Sequence, residues 1–143
     1  LSENYLKDLI WIFSSSINYR INNENNERQK NKDWNIIKDY FAGLEDVGYK
    51  VKRAYISINK NNKGVCFVHF RKNHIRIHVV RGNISPKGIK SKNFFSFDDP
   101  KKLCVEYDRR IRDERRYTYK LEIKPKIDPD YVLWLLKQKY DSI

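Results

Sequence analysis

All three histidines of the chain fall within residues 67–80, FVHFRKNHIRIHVV, interleaved with Arg71 and Arg76 and followed by Arg81. Imidazoles alternating with guanidinium groups suggest three kinds of chemistry: holding a metal, moving protons or gripping phosphate. His74 and His78 stand four apart, a helical ligand spacing, but the segment alternates like a strand. On a strand those two positions lie about 13 Å apart, too far for one ion. His69 could meet either across a hairpin, yet Arg71 and Arg76 would sit between them and repel a cation. No metal or other cofactor is therefore expected. A second short element, Glu122-Ile123-Lys124, matches the ExK piece of Mg²⁺-dependent nucleases, with Asp113 or Asp108 as a second carboxylate. The plainer account puts Glu122 and Lys124 on a solvent face, opposite Tyr119 and Leu121.

Other chemistries have less behind them. Cys66 and Cys104 lie in apolar surroundings without CxxC spacing, which suits inert, unpaired thiols. Ser14-Ser15-Ser16 has no base nearby, and Gly82 and Gly88 are too isolated to form a phosphate loop. Binding remains. Arg53, Arg71, Arg76 and Arg81 offer planar forks for phosphate; Lys72, Lys87, Lys90 and Lys92 add point charges. Phe67 could stack a base, while His69, His74 and His78 could hydrogen-bond phosphate or base edges. The alternative for Phe67 is packing against Phe94, Phe95 or Phe97.

Charge supports a polyanionic partner. The formal net charge is +12, and the whole excess lies after residue 33: five bases and five acids precede that point, 25 bases and 13 acids follow it. Between Asp46 and Asp98 there is no acid, whereas residues 50–92 hold twelve lysines and arginines. Nucleic acid is the expected partner, DNA ahead of RNA, with other domains of a parent protein also possible partners. A solubilising surface is the bland alternative. No apolar run approaches the ~20 residues of a membrane span, and no leader opens the chain, so a cytoplasmic location without membrane contact is expected. The chain begins LSENYL without methionine, as a fragment of a longer protein would.

The elements follow from periodicity. Residues 1–20 place Leu6, Leu9, Ile10, Phe13 and Ile17 at helical spacing, an appended N-terminal helix. Residues 21–33 hold one apolar residue in thirteen and read as a polar linker. A basic α+β domain then spans 34–143. Asp33 caps a helix with Trp34, Ile37, Phe41 and Leu44 inward, stopped at Gly48. KVKRAYISINK, VCFVHFR and HIRIHVV follow as strands, with Lys72-Asn73 as a hairpin loop. That register sets Phe67 opposite His78, Val68 opposite Ile77, His69 opposite Arg76 and Phe70 opposite Ile75. Cys66, Val68, Phe70, Ile75, Ile77 and Val79 turn inward. Residues 98–113 suggest a helix capped at Asp98 or Asp99 and led by Pro100. Around its end, Arg109, Arg110, Arg112, Arg115 and Arg116 would pair locally with Asp108, Asp113 and Glu114. A strand carrying Tyr117, Tyr119, Leu121 and Ile123 and a helix capped by Asp128 complete the chain. The expected fold is α+β: a small antiparallel sheet of about four strands with helices packed mainly on one face.

Three pieces, VCFVHFRKNHIRIHV, FDDPKKL and IDPDYVLWLLKQKYD, resemble a small bacterial domain family of unknown function often labelled "predicted transport protein". The resemblance covers roughly residues 34–143. It implies a compact α+β domain, found alone or at the C-terminus of restriction- or phage-defence-like proteins, with a link to nucleic acid, and it supplies no catalytic residues. The expected function is a non-catalytic nucleic-acid-binding module; the alternatives are a protein-interaction domain and an Mg²⁺-dependent nuclease.

Overall fold

The computed structural model describes residues 24–111 and 114–143. The N-terminal helix expected over residues 1–20 lies outside them. The element order is α1 (Glu24–Ala42), β1 (Val47–Val51), β2 (Tyr55–Lys60), β3 (Lys63–Phe70), β4 (Ile75–Ile84), β5 (Val105–Ile111), β6 (Glu114–Ile123) and α2 (Pro129–Asp141). All six strands form one antiparallel sheet in the order β1-β2-β3-β4-β6-β5.

Two departures overturn the expectation of about four strands. First, KVKRAYISINK is not one strand. Lys52 N donates to Tyr55 O (2.9 Å) across a tight turn, which leaves Arg53 and Ala54 exposed and splits the run into β1 and β2. Gly48, expected as a helix stop, lies inside β1; α1 ends earlier, in a turn where Gly43 N bonds Tyr40 O (3.2 Å) and Asp46 takes φ 61. Second, the helix expected over residues 98–113 is absent. Asp99 instead closes a turn, accepting from Cys104 N (2.8 Å) and from the Tyr131 hydroxyl, with Lys102 at φ 52. Beyond it Val105, Tyr107 and Arg109 alternate with Glu106 and Asp108 and pair one-to-one with β6.

The polar linker read over 21–33 also changes. Residues 24–33 form the first half of α1, and Asp33 sits inside it, accepting from Gln29 Nε2 (2.9 Å) rather than capping. The buried stripe runs Lys30, Trp34, Ile37, Phe41, and its first member is a lysine. The Lys30 stem packs inward while its ammonium pairs with Glu27 (2.7 Å) and donates to the carbonyls of Arg71 (3.1 Å) and Lys72 (3.2 Å). The helix thereby clamps the β3–β4 turn.

Both helices cover one face of the sheet. Trp34, Ile37 and Phe41 of α1 and Val132, Leu135 and Leu136 of α2 close over Ile56, Ile58, Val68, Ile75, Ile77, Tyr119 and Leu121. The last helix starts as its sequence dictates: Asp128 accepts from Asp130 N (3.0 Å) and Pro129 occupies the first turn. Asn61 (φ 50) and Asn62 (φ 65) make the β2–β3 turn, left-handed at both centres as a two-residue hairpin needs. No helix among the described residues is long and apolar enough to cross a membrane.

Candidate nucleic-acid interface

Strand alternation decides what the uncovered face carries. The hairpin register is the one expected: Phe67↔His78, Val68↔Ile77, His69↔Arg76, Phe70↔Ile75. With Val68, Phe70, Ile75 and Ile77 under the helices, Phe67, His69, Arg76 and His78 must point the other way. Cross-strand partners share a face, so Tyr55, Ser57, Thr118, Lys120, Glu122, Val105 and Tyr107 join them.

Rings form a continuous track on this face. Tyr55 lies 5.6 Å from Phe67 and 5.1 Å from His69, His69 lies 4.4 Å from His78, and His78 lies 5.7 Å from Tyr107, centroid to centroid. The Tyr107 side chain reaches across β6 to place its hydroxyl 2.5 Å from His78 Nδ1. Burial, then the charges of neighbours, pulls both His69 and His78 down to about 4. Both are neutral rings at pH 7.

Arg76 Nε (2.6 Å) and His74 Nε2 grip the two oxygens of Glu122. Burial opposes ionisation of that carboxyl, but these hydrogen bonds prevail and hold it below its usual range. Glu122 is the one acid among the side chains described on this face. With one oxygen bonded to the Arg76 guanidinium and the other to the His74 ring, the carboxylate is already engaged at both edges. Lys124 lies exposed beyond the end of β6, and Asp113 falls outside the described residues. Among the described residues no three His, Cys, Asp or Glu side chains gather as a metal site would need. The Cys66 thiol is fully buried and pushed far up; Cys104, half-buried, is raised to about 12 by burial and by Asp99.

The expected binding residues separate into groups. Phe67, His69, Arg76 and His78 come together on the open face. Arg71 and Lys72 are exposed at the hairpin tip beside His74, and Arg53 is exposed in the β1–β2 turn. Arg81 faces the other way. It stacks over Tyr119 (4.5 Å) and Phe94 (4.9 Å) and donates to Phe95 O, Ser96 Oγ and Glu106, so it braces the loop after β4. Lys87, Lys90 and Lys92 are exposed on that loop, which packs on the helix side through Phe95. Phe67 does not contact those phenylalanines; its ring leans over Gly64 and against Tyr55.

Four contributors escaped the sequence reading: Tyr55, Tyr107, Lys120 and the pair Arg109–Arg116. Lys120 is the partner of His78, and its ammonium stands 5.9 Å from the Tyr107 ring. Arg109 and Arg116 are direct cross-strand partners, both exposed, whereas Arg115 pairs with Asp108 (3.7 Å). Like charges placed directly opposite cost stability unless an anion joins them. The signal that finds these residues is a period of two running from Val105 through Arg109.

No protein-family model, curated protein or solved structure matches the chain. The family resemblance rests on its three quoted segments alone.

Proposed function

We propose that this chain is a nucleic-acid-binding module that meets its ligand with the open face of the sheet. One observation carries the reading: a half-exposed ring track uncovered by any described element, with Lys120, Arg109 and Arg116 beside it and, among the described side chains, a single acid held by Arg76 and His74. An apolar patch rimmed by cations suits a ligand that is flat and aromatic in one part and anionic in another. The module is non-catalytic, and the resemblance supports a place in a larger defence- or restriction-type protein. Binding is measured by fluorescence anisotropy with labelled DNA and RNA over a salt series. Affinity should fall steeply with salt, and replacing Arg109, Arg116 and Lys120 by glutamine should lower the log–log slope by about two to three units. Failure of every nucleic-acid form to bind at low salt would refute the reading.

Protein docking is a second reading, favoured by Trp134, 41% exposed beside Tyr131 on α2. A complex insensitive to salt and abolished by Trp134→Ala would support it.

A further inference from the structure

We infer that the open face takes unpaired nucleic acid, with bases stacked along the Tyr55–His69–His78–Tyr107 track and the backbone leaving over Arg109 and Arg116. This rests on the nucleic-acid reading and narrows it to a substrate class.

Register fixes the direction of the track. Tyr55 and His69 are cross-strand partners; His78 lies one strand over and two residues along, opposite Phe67. Tyr107 lies two strands further, in the row of Val80 and Thr118. The rings therefore climb diagonally across the sheet, and the next row on β5 and β6 holds Arg109 and Arg116. Aromatic contacts end where the exposed Arg109–Arg116 couple begins. Stacking followed by phosphate contact is the order such a diagonal presents to a strand lying along it.

Ring chemistry excludes a duplex as the better ligand. Paired bases already stack on one another, so only an unpaired base has a face to offer a protein ring. A duplex groove is read by a helix or a protruding ribbon, and both helices lie on the reverse side of this sheet. Neutral imidazoles fit the stacking role, since an uncharged ring packs beside its neighbour without repulsion. The cations at the sides, Lys120 foremost, are left for phosphate.

The test compares three labelled ligands at one low ionic strength: a thymidine oligomer of about 15 nucleotides, the same oligomer with abasic residues, and a blunt duplex of equal charge. The oligomer should bind at least about tenfold tighter than the duplex, and base removal should cost at least about fivefold. Tyr55→Leu with Tyr107→Leu should abolish that preference for the oligomer. Tyr107→Phe keeps the ring and should keep the preference over the duplex and the cost of base removal, which separates stacking from misfolding. Equal affinity for oligomer and duplex, or no cost of base removal, overturns the inference while nucleic-acid binding stands. Binding of none of the three overturns both. Self-association abolished by the same double variant, without nucleic-acid binding, would replace both with a face-to-face dimer.

Discussion

Acidification from pH 7 to 4.5 should weaken this fold through two residues, His69 and His78. In the unfolded chain an imidazole takes up its proton near pH 6.5; in the fold both are held to about 4. Folded-state values depressed below the unfolded ones mean the unfolded chain binds more protons across this window, so stability falls as pH drops from about 6.5 to 4. A fully buried imidazole so shifted would lose about 3 kcal/mol. Half-exposure and solvent screening reduce this to roughly 1 kcal/mol each, or about 2 kcal/mol for the pair. The lowered carboxyls of Glu122 and Asp99 enter only at the acid end of this window, as pH starts to fall through the ordinary carboxylate range, and both are kept in the variant compared below. Asp33, raised by burial, works in the opposite direction, and equally in any variant that keeps it. Urea unfolding followed by tryptophan fluorescence, at pH 7, 6, 5 and 4.5, measures the effect. The parent protein should lose about 2 kcal/mol more than His69→Gln/His78→Gln over this range. Parallel pH profiles would refute the burial argument for the pair.

Lys30→Met should cost about 2–3 kcal/mol, since the Arg71 and Lys72 carbonyls and Glu27 lose a donor together; the urea midpoint reports it, and Glu27→Gln added to it should recover part. Gly82→Ala should cost about 2–4 kcal/mol: φ is +141° and an added Cβ would meet Ser91 Oγ at 2.6 Å. Gly48→Ala, with nothing within 4 Å, should be neutral within about 0.5 kcal/mol or mildly stabilising, and urea midpoints of the two glycine variants check both. Cys66 and Cys104 should both resist a disulfide-exchange reagent at pH 8 in the folded protein and react promptly in urea.

The part of the site legible in the sequence is the hairpin, where every inward position is aliphatic, aromatic or Cys and every outward one a ring or a cation. A period of two over twelve residues fixes both register and faces. Its partner strand was not legible, because Leu103, Cys104, Tyr107 and Ile111 satisfy helical spacing as well as Val105, Tyr107 and Arg109 satisfy alternation. Only pairing with β6 decides between them, and that is a long-range fact. Tyr107 and the Arg109–Arg116 couple were missed with it. The first half of α1 was missed because its buried contribution comes from a lysine stem, which hydrophobicity patterns count as polar. Arg81, expected as a phosphate fork, is not on the open face: β4 runs four residues past Val80, and the Arg81 side chain lies on the covered face, where aromatic rings and carbonyls occupy it.

The most direct test of the central claim is a titration of aromatic and imidazole NMR resonances with a thymidine oligomer at low salt. Shifts concentrated on Tyr55, Phe67, His69, His78 and Tyr107, with Trp34 and the α2 core silent, are the predicted result. Shifts confined to the helix side, or no shifts at saturating oligomer, would contradict it.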